Sequence, residues 1–232
     1  MHQSPQKQTS AVPVADTAFT AADVRARCAD RLLRVPADRL FDPRTGRALG
    51  RSDWDLDPQL SADLAAMDPP RPAAVLVPIV LRDELMVLLT QRTDTLSSHA
   101  GQIAFPGGRI DDTDADAEAA ALREAYEEIG LAAHFVEPVG YLDGYRTGTG
   151  YSITPLVGLV RPGFQLQLAP GEVADAFEVP LSFLMSVANH QRQERLWRGR
   201  QRAYWAMPFG ERFIWGATAG MLKNLYDRLY AP

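Results

Sequence analysis

Residues 107–131 read GGRIDDTDADAEAAALREAYEEIGL, and this stretch decides the fold. Two glycines lead into an acidic loop and then into a helix. Asp116 stands where the first free amides need an acceptor, and Glu118 suits the positive end of the helix dipole. Ala119, Leu122, Tyr126 and Ile129 follow steps of three, four and three, which predicts one buried stripe. Gly130 comes just past the last turn, where a left-handed residue ends a helix. On this register Glu124, Glu127 and Glu128 share a different face, with Glu124 one turn from each of the other two. Three ionised carboxylates in one patch repel one another unless a cation or a salt bridge intervenes. Arg123, four residues before Glu127, offers part of that relief. Hard divalent cations prefer oxygen ligands, so the patch is a candidate Mg2+ or Mn2+ site; the same residues would also serve as a solvated helix face. Gly107 and Gly108 carry no Cβ, so their backbone can come close to a metal or a ligand.

Outward from this helix the pattern is that of a sheet. Residues 74–81 and 85–90 are apolar runs separated by Arg82-Asp83-Glu84, a predicted hairpin. Residues 102–105 form a short strand that runs into Pro106. Further strands are expected near 135–142, 153–160, 165–168, 195–198 and 202–207. A short helix is expected within 179–187, and a closing helix from about 215 to 230. Toward the N terminus, residues 68–72 (DPPRP) mark a boundary, because stacked prolines stop helices and break strand ladders. Before it, residues 21–34 place Val24, Cys28, Leu32 and Leu33 at helical spacing, with Thr20 as a cap. Residues 1–20 are polar and aperiodic, the pattern of a flexible tail. Strands, a helix, more strands and a last helix fit an α/β or α+β sandwich better than a doubly wound sheet.

Composition narrows the function classes. The 232 residues are 46% hydrophobic and 23% charged, close to the globular average, which argues against wholesale disorder. The longest apolar run, residues 73–81, is interrupted by Pro78 and is far short of the roughly 20 residues a membrane helix needs. No membrane partner is expected, and residues 1–20 show no apolar signal core. Cys28 is the single cysteine, which excludes an internal disulfide and fits a reducing, cytoplasmic setting. A net charge of −5 argues against nucleic-acid binding, which needs a broad basic surface. The charges are uneven. Residues 111–128 hold eight carboxylates against one basic residue, and residues 191–202 hold five arginines against one acid, Glu194. Such a pair of clusters suits a metal ion with a phosphorylated substrate, or two solvated faces.

The central stretch resembles the signature of the Nudix hydrolases, G-x5-E-x7-R-E-U-x-E-E-x-G-U with U aliphatic. Residues 123–131, REAYEEIGL, fit its second half, with Ala125 as a small stand-in. In the first half Gly108 lies fifteen residues before Arg123, one more than the signature allows, and no glutamate holds the first acidic position. Asp114 stands at the forward spacing and Ala115 at the backward one, so that position is unassigned. Upstream, Leu88-Leu89-Thr90-Gln91-Arg92 and then residues 99–108, HAGQIAFPGG, are similar to the extra motif of the coenzyme A pyrophosphatase branch, L-L-T-x-R-[SA]-x3-R-x3-G-x3-F-P-G-G. Thr93 replaces the small residue, and Ser97 stands at the second arginine. Segments around Glu172-Val173, residues 177–181 and residues 214–219 also resemble that branch. The likeness covers about residues 71–231.

The resemblance implies an α/β/α sandwich with a mixed sheet over residues 71–231, following the tail 1–20 and a partly helical extension 21–70. It implies hydrolysis of a diphosphate with Mg2+ or Mn2+, the substrate being coenzyme A, its acyl derivative or a related nucleotide. Glu124, Glu127 and Glu128 are the implied metal ligands, and Arg123 orients Glu127. The general base is Glu127 or Glu172. Arg92, His99, Gly107 and Gly108 are candidate substrate contacts. The loop 147–151, TGTGY, is a candidate border of the substrate site. Trp215 is a stacking partner for a base or a core residue. The arginines at 192, 195, 198, 200 and 202 hold a phosphate or line an exposed face. Residues 21–70 complete the pocket, form a homodimer interface or pack on the domain.

Overall fold

The computed structural model describes residues 19–37, 50–57, 69–94, 100–197 and 199–231. The apolar run after the proline boundary is buried on both faces. It forms β2 (Arg71–Val80), whose period of two sends Ala74, Leu76 and Val80 to one side and Val75, Val77 and Ile79 to the other. β2 pairs in parallel along its whole length with β8 (Tyr151–Val160) and antiparallel with β3 (Met86–Arg92), the expected hairpin. β3 pairs β9 (Val173–Pro180) and β4 (Ile103–Ala104), while β5 (Gly107–Arg109) lies along the start of β2. β6 (Val136–Tyr141) and β7 (Tyr145–Arg146) pair β8, and β1 (Arg51–Ser52) adds to β7. Among the described residues these nine strands make one mixed sheet. β10 (Gln191–Trp197), β11 (Arg200–Phe209) and β12 (Arg212–Trp215) make a second, antiparallel one.

Helices cover both faces of the large sheet. α2 (Ala117–Ile129) packs Ala120, Ala121, Ala125 and Ile129 on Ala74, Leu76, Leu88 and Leu156. On the opposite face lie α1 (Ala21–Arg31), α3 (Leu181–Leu184) and α4 (Ala217–Leu229), which contribute Val24, Cys28, Leu181, Leu222 and Leu225 to a core with Val77, Ile79 and Val87. The architecture is therefore α+β, with helices on both faces of a mixed sheet. Thr20 caps α1 as expected, accepting from the Asp23 amide at 3.1 Å. The described part of the extension joins the domain's core: Val24, Cys28 and Leu32 lie in it, and Arg27 donates to the Leu229 carbonyl at 2.9 Å. No helix among the described residues is long and apolar enough to cross a membrane.

Several expectations are corrected. Tyr126 is 61% exposed and Ala119 is only partly covered, so the stripe 119/122/126/129 is not the buried one. The buried side is Ala120, Ala121, Ala125 and Ile129, and Glu128 turns inward with them at 4% exposure. Small side chains let a helix sit close to a sheet, and that proximity outweighs the larger apolar groups on the rotated register. Residues 165–168 form no strand, because their backbone serves α2: the Gln167 amide donates to the Ile129 carbonyl and the Ala169 amide to the Glu128 carbonyl, both at 2.9 Å. The helix sought within 179–187 is confined to α3, since β9 runs through Pro180. The closing helix begins at Ala217, after β12. Pro72 lies inside β2 near its start, where a missing donor is tolerated. Residues 1–18 of the expected tail lie outside the described residues.

Candidate active site

The C-terminal half of α2 faces the turn into β5. Asp116 caps the helix, accepting from the Ala119 amide at 2.8 Å, and Gly130 ends it with φ at 71°. Between these ends Glu124 and Glu128, four residues apart, point together toward Gly107 and Gly108. The Gly107 amide donates to Glu128 Oε2 at 3.1 Å. A Cβ on Gly108 would stand 2.5 Å from the Glu124 carboxyl, so that carboxylate lies flat against the glycine. Arg92, at the end of β3, brings Nη1 to 3.7 Å from Glu128 Oε1. Glu172 sits in the turn before β9, its amide donating to the Ala169 carbonyl at 3.0 Å. Its charge raises the proton affinity of both Glu124 and Glu128. Burial pushes the Glu128 carboxyl from 4.5 up to about 7, against the pull of the Gly107 amide and Arg92. Burial also raises Glu124, with Arg123 opposing.

Arg123 organises the other side of the helix. Its Nε and Nη2 clasp Asp114 at 2.9 and 2.8 Å, Nη2 also donates to the Arg109 carbonyl at 3.1 Å, and Nη1 reaches Glu124 at 3.1 Å and Glu127 at 2.9 Å. The bidentate pair holds the Asp114 carboxyl down to about 2. Asp114 closes its own turn, its Oδ2 accepting from the Asp111 amide at 2.8 Å. The acidic position that spacing leaves open is thus filled by Asp114, not Ala115. The three glutamates do not share one face. Glu127 stays at the surface, 55% exposed and tied to Arg123, while Glu128 is buried. A step of 100° per residue separates neighbours 127 and 128, whereas 124 and 128 stand on one row.

These residues fit a hard divalent cation. A buried carboxylate faces two others with one amide and a distant guanidinium to offset it, and the donors are all oxygens. Among the described residues no three such side chains already close to metal-ligand spacing. Glu124 and Glu128, with Glu172 nearby, are the ones positioned to hold an ion. His99 lies outside the described residues.

A cavity of about 390 Å³ runs from Arg92, Gly107 and Gly108 into the molecule. Thr147, Gly148, Thr149 and Tyr151 line it, as do Arg195, Trp197, Tyr204 and Trp215 from the small sheet. Ser52, Asp53 and Asp55 supply a further wall. Of the expected arginine row, Arg192, Arg195 and Arg200 are exposed, with Arg195 lying over the Trp215 ring at 4.5 Å, and Arg198 lies outside the described residues. Arg202 departs from the exposed alternation. It is buried between the rings of Trp54 and Trp197, at 4.4 and 4.7 Å. Residues 53 and 54 cover it, and no motif in that segment announces this: sequence reasoning misses Asp53, which lines the cavity, and Trp54, which packs on Arg202.

The family model described as NUDIX domain matches residues 70–208. A relative named "Uncharacterized Nudix hydrolase NudL", from Escherichia coli K12, is 43% identical over 155 residues, covering 67% of this chain and 81% of the relative. A protein of the same name from Cronobacter sakazakii matches to the same extent. Among solved structures, a C. elegans Ap4A hydrolase complex aligns at 21% identity with a TM-score of 0.42, over 47% of this chain and 80% of that one. The domain match spans more than half of the chain, and its REAYEEIGL helix faces the Gly107-Gly108 turn, so this protein belongs to the Nudix hydrolase family.

Proposed function

We propose that this protein hydrolyses the diphosphate bond of coenzyme A or an acyl-coenzyme A, giving 3′,5′-adenosine bisphosphate and the corresponding 4′-phosphopantetheine, with Mg2+ or Mn2+. The observation that carries the reading is the single cavity joining two chemistries. Its lining includes Gly107 and Gly108, the residues against which the Glu128 and Glu124 carboxylates rest, and also Trp197, Tyr204 and Trp215 beside Arg195. A nucleotide diphosphate needs both: oxygen-held cations at the bridge, and aromatic faces with a cation for a base and its phosphate. The upstream likeness to the coenzyme A branch supports the choice of substrate.

In this reading Glu124 and Glu128 would hold the metal, and Arg92 meets a phosphate oxygen. A bound divalent cation neutralises the diphosphate oxygens and the leaving phosphate. Glu172 accepts the proton of the attacking water; Glu127, engaged by Arg123, is the poorer base. Oxygen from water joins one phosphorus as the bridging P–O bond breaks, and the leaving phosphate departs as an anion. The Glu128 carboxyl must lose its proton to bind a cation. Affinity for Mn2+ should therefore climb about tenfold per pH unit up to about 7 and then level. A calorimetric titration from pH 5.5 to 8.5 measures this; a flat profile would remove Glu128 from the ligand set.

A second reading is the same chemistry on ADP-ribose, a dinucleotide or a nucleoside triphosphate. It is favoured by Asp55, a carboxylate on the cavity wall, which suits sugar hydroxyls better than another phosphate. Incubation with either metal and a panel of coenzyme A, acetyl-coenzyme A, ADP-ribose and NADH tests both. Release of 3′,5′-adenosine bisphosphate from coenzyme A is the expected result. Turnover of ADP-ribose or NADH with coenzyme A inert would transfer the assignment. Metal binding with no turnover of any substrate would point to a nucleotide-binding module instead.

A further inference from the structure

Residues 50–57 lie outside the stretch that the family model matches, yet they finish one wall of the cavity. Asp53 is their centre. Its carboxylate accepts from the Gly148 amide at 2.7 Å and from the Tyr145 hydroxyl at 2.9 Å, and its carbonyl accepts from Arg202 at 3.3 Å. A Cβ built on Gly148 would stand 3.4 Å from Asp53 Oδ2, 3.5 Å from Arg202 Nη1 and 3.6 Å from the Trp197 ring. Three side chains from three separate elements therefore converge on one point of the wall. The segment is braced on each side. The Arg51 amide donates to the Gly144 carbonyl at 2.8 Å, the Asp53 amide to the Arg146 carbonyl at 3.0 Å, and Asp57 Oδ2 accepts from the Ala203 amide at 2.7 Å.

We infer that Asp53 is a positioning residue for the nucleoside end of the cavity, a role that rests on reading this cavity as the substrate site. It locks the turn at Thr147 and Gly148 on one side and the Arg202–Trp197 wall on the other. The ligand class is a nucleoside phosphate, its base on the aromatic wall and its anion toward Arg195. Free in the cavity, a carboxylate would repel such a ligand. Here its two acceptor bonds and the adjacent guanidinium absorb its charge. Burial raises its proton affinity, against the pull of the Gly148 amide, the Tyr145 hydroxyl and Arg202.

Two variants test this, Asp53→Asn and Tyr145→Phe. Asparagine keeps one acceptor oxygen but turns an NH2 group toward the other donor, and phenylalanine removes only the hydroxyl contact. AMP and adenosine 3′,5′-bisphosphate serve as calorimetric probes that need no hydrolysis. KM and kcat are measured on whichever diphosphate the wild type cleaves. Asp53→Asn should weaken both nucleotides, and raise KM, by about tenfold or more, with a smaller fall in kcat. Mn2+ affinity should hold and Tm should move by less than about 3 °C. Tyr145→Phe should shift binding the same way by less. Unchanged binding and KM in both variants would overturn the inference, as would no binding of either probe by the wild type. So would a joint fall of Tm, Mn2+ affinity and kcat, the mark of a purely structural role. Loss of probe binding in Asp53→Asn with no diphosphate cleaved by the wild type would leave the positioning role standing and discard the diphosphatase reading.

Discussion

Replacing Glu128 by glutamine is expected to lower turnover by about a thousandfold or more while leaving the metal-free fold at least as stable above pH 7. The side chain is 4% exposed, and its Oε2 accepts from the Gly107 amide, a bond that a glutamine oxygen can keep. What glutamine cannot supply is the negative charge that the proposed cation requires. That charge is costly to the apo protein. The folded carboxyl sits near 7 against 4.5 when unburied, so the folded state holds the proton more tightly. The resulting stability is fully present below about pH 4.5 and is lost as pH rises through about 7, a change of roughly 3 kcal/mol. Urea unfolding with a chelator, at pH 5 and pH 8, should show this slope in the wild type and its reduction in Glu128→Gln. A variant that keeps turnover within about tenfold, or loses stability at both pH values, would show that Glu128 is not a buried, metal-seeking carboxylate.

The two glycines that open β5 should fail in opposite ways. A Cβ on Gly107, whose φ is 154°, would strike the Ala74 carbonyl and stand 2.6 Å from Val75 Cα, both backbone atoms of β2. Neither can move without tearing the strand pair, so Gly107→Ala should cost about 3 kcal/mol or more, or prevent folding. The three atoms nearest a Cβ on Gly108 all belong to the Glu124 carboxyl, the far end of a side chain that can swing aside. Gly108→Ala should thus change stability by less than about 1 kcal/mol yet cut turnover about a hundredfold, because Glu124 leaves its place beside Glu128. Thermal unfolding alongside Mn2+ titration and kcat separates the two. A stable Gly107→Ala, or a Gly108→Ala with wild-type activity, would mean the turn is not packed as described.

Legibility differed from element to element. Asp116 and Gly130 could be assigned from sequence because caps answer to local backbone needs, and both ends of α2 fall where those residues stand. The β2–β3 hairpin was equally plain, as two apolar runs around a charged turn. The rotation of α2 was not. Counting apolar groups favours Leu122 and Tyr126, but close contact with β2 selects alanines, and Glu128 is carried inside with them. Asp114 was visible only as one of two spacings, since nothing local distinguishes the loop that presents a carboxylate to Arg123 from one that does not.

By itself, then, the chain determined the elements whose causes are local: a capped helix carrying Arg-Glu-x-x-Glu-Glu, a glycine turn before it, strands of period two around it, and through them the family. Only the tertiary structure decided which carboxylate is buried, which acid holds Arg123, that Asp53 reaches the cavity, and that Asp53 and Trp54 both meet Arg202. Those outcomes depend on contacts between residues as far as 149 positions apart. Such contacts follow from how the sheet, helices and extension pack, and a linear pattern holds no record of that distance.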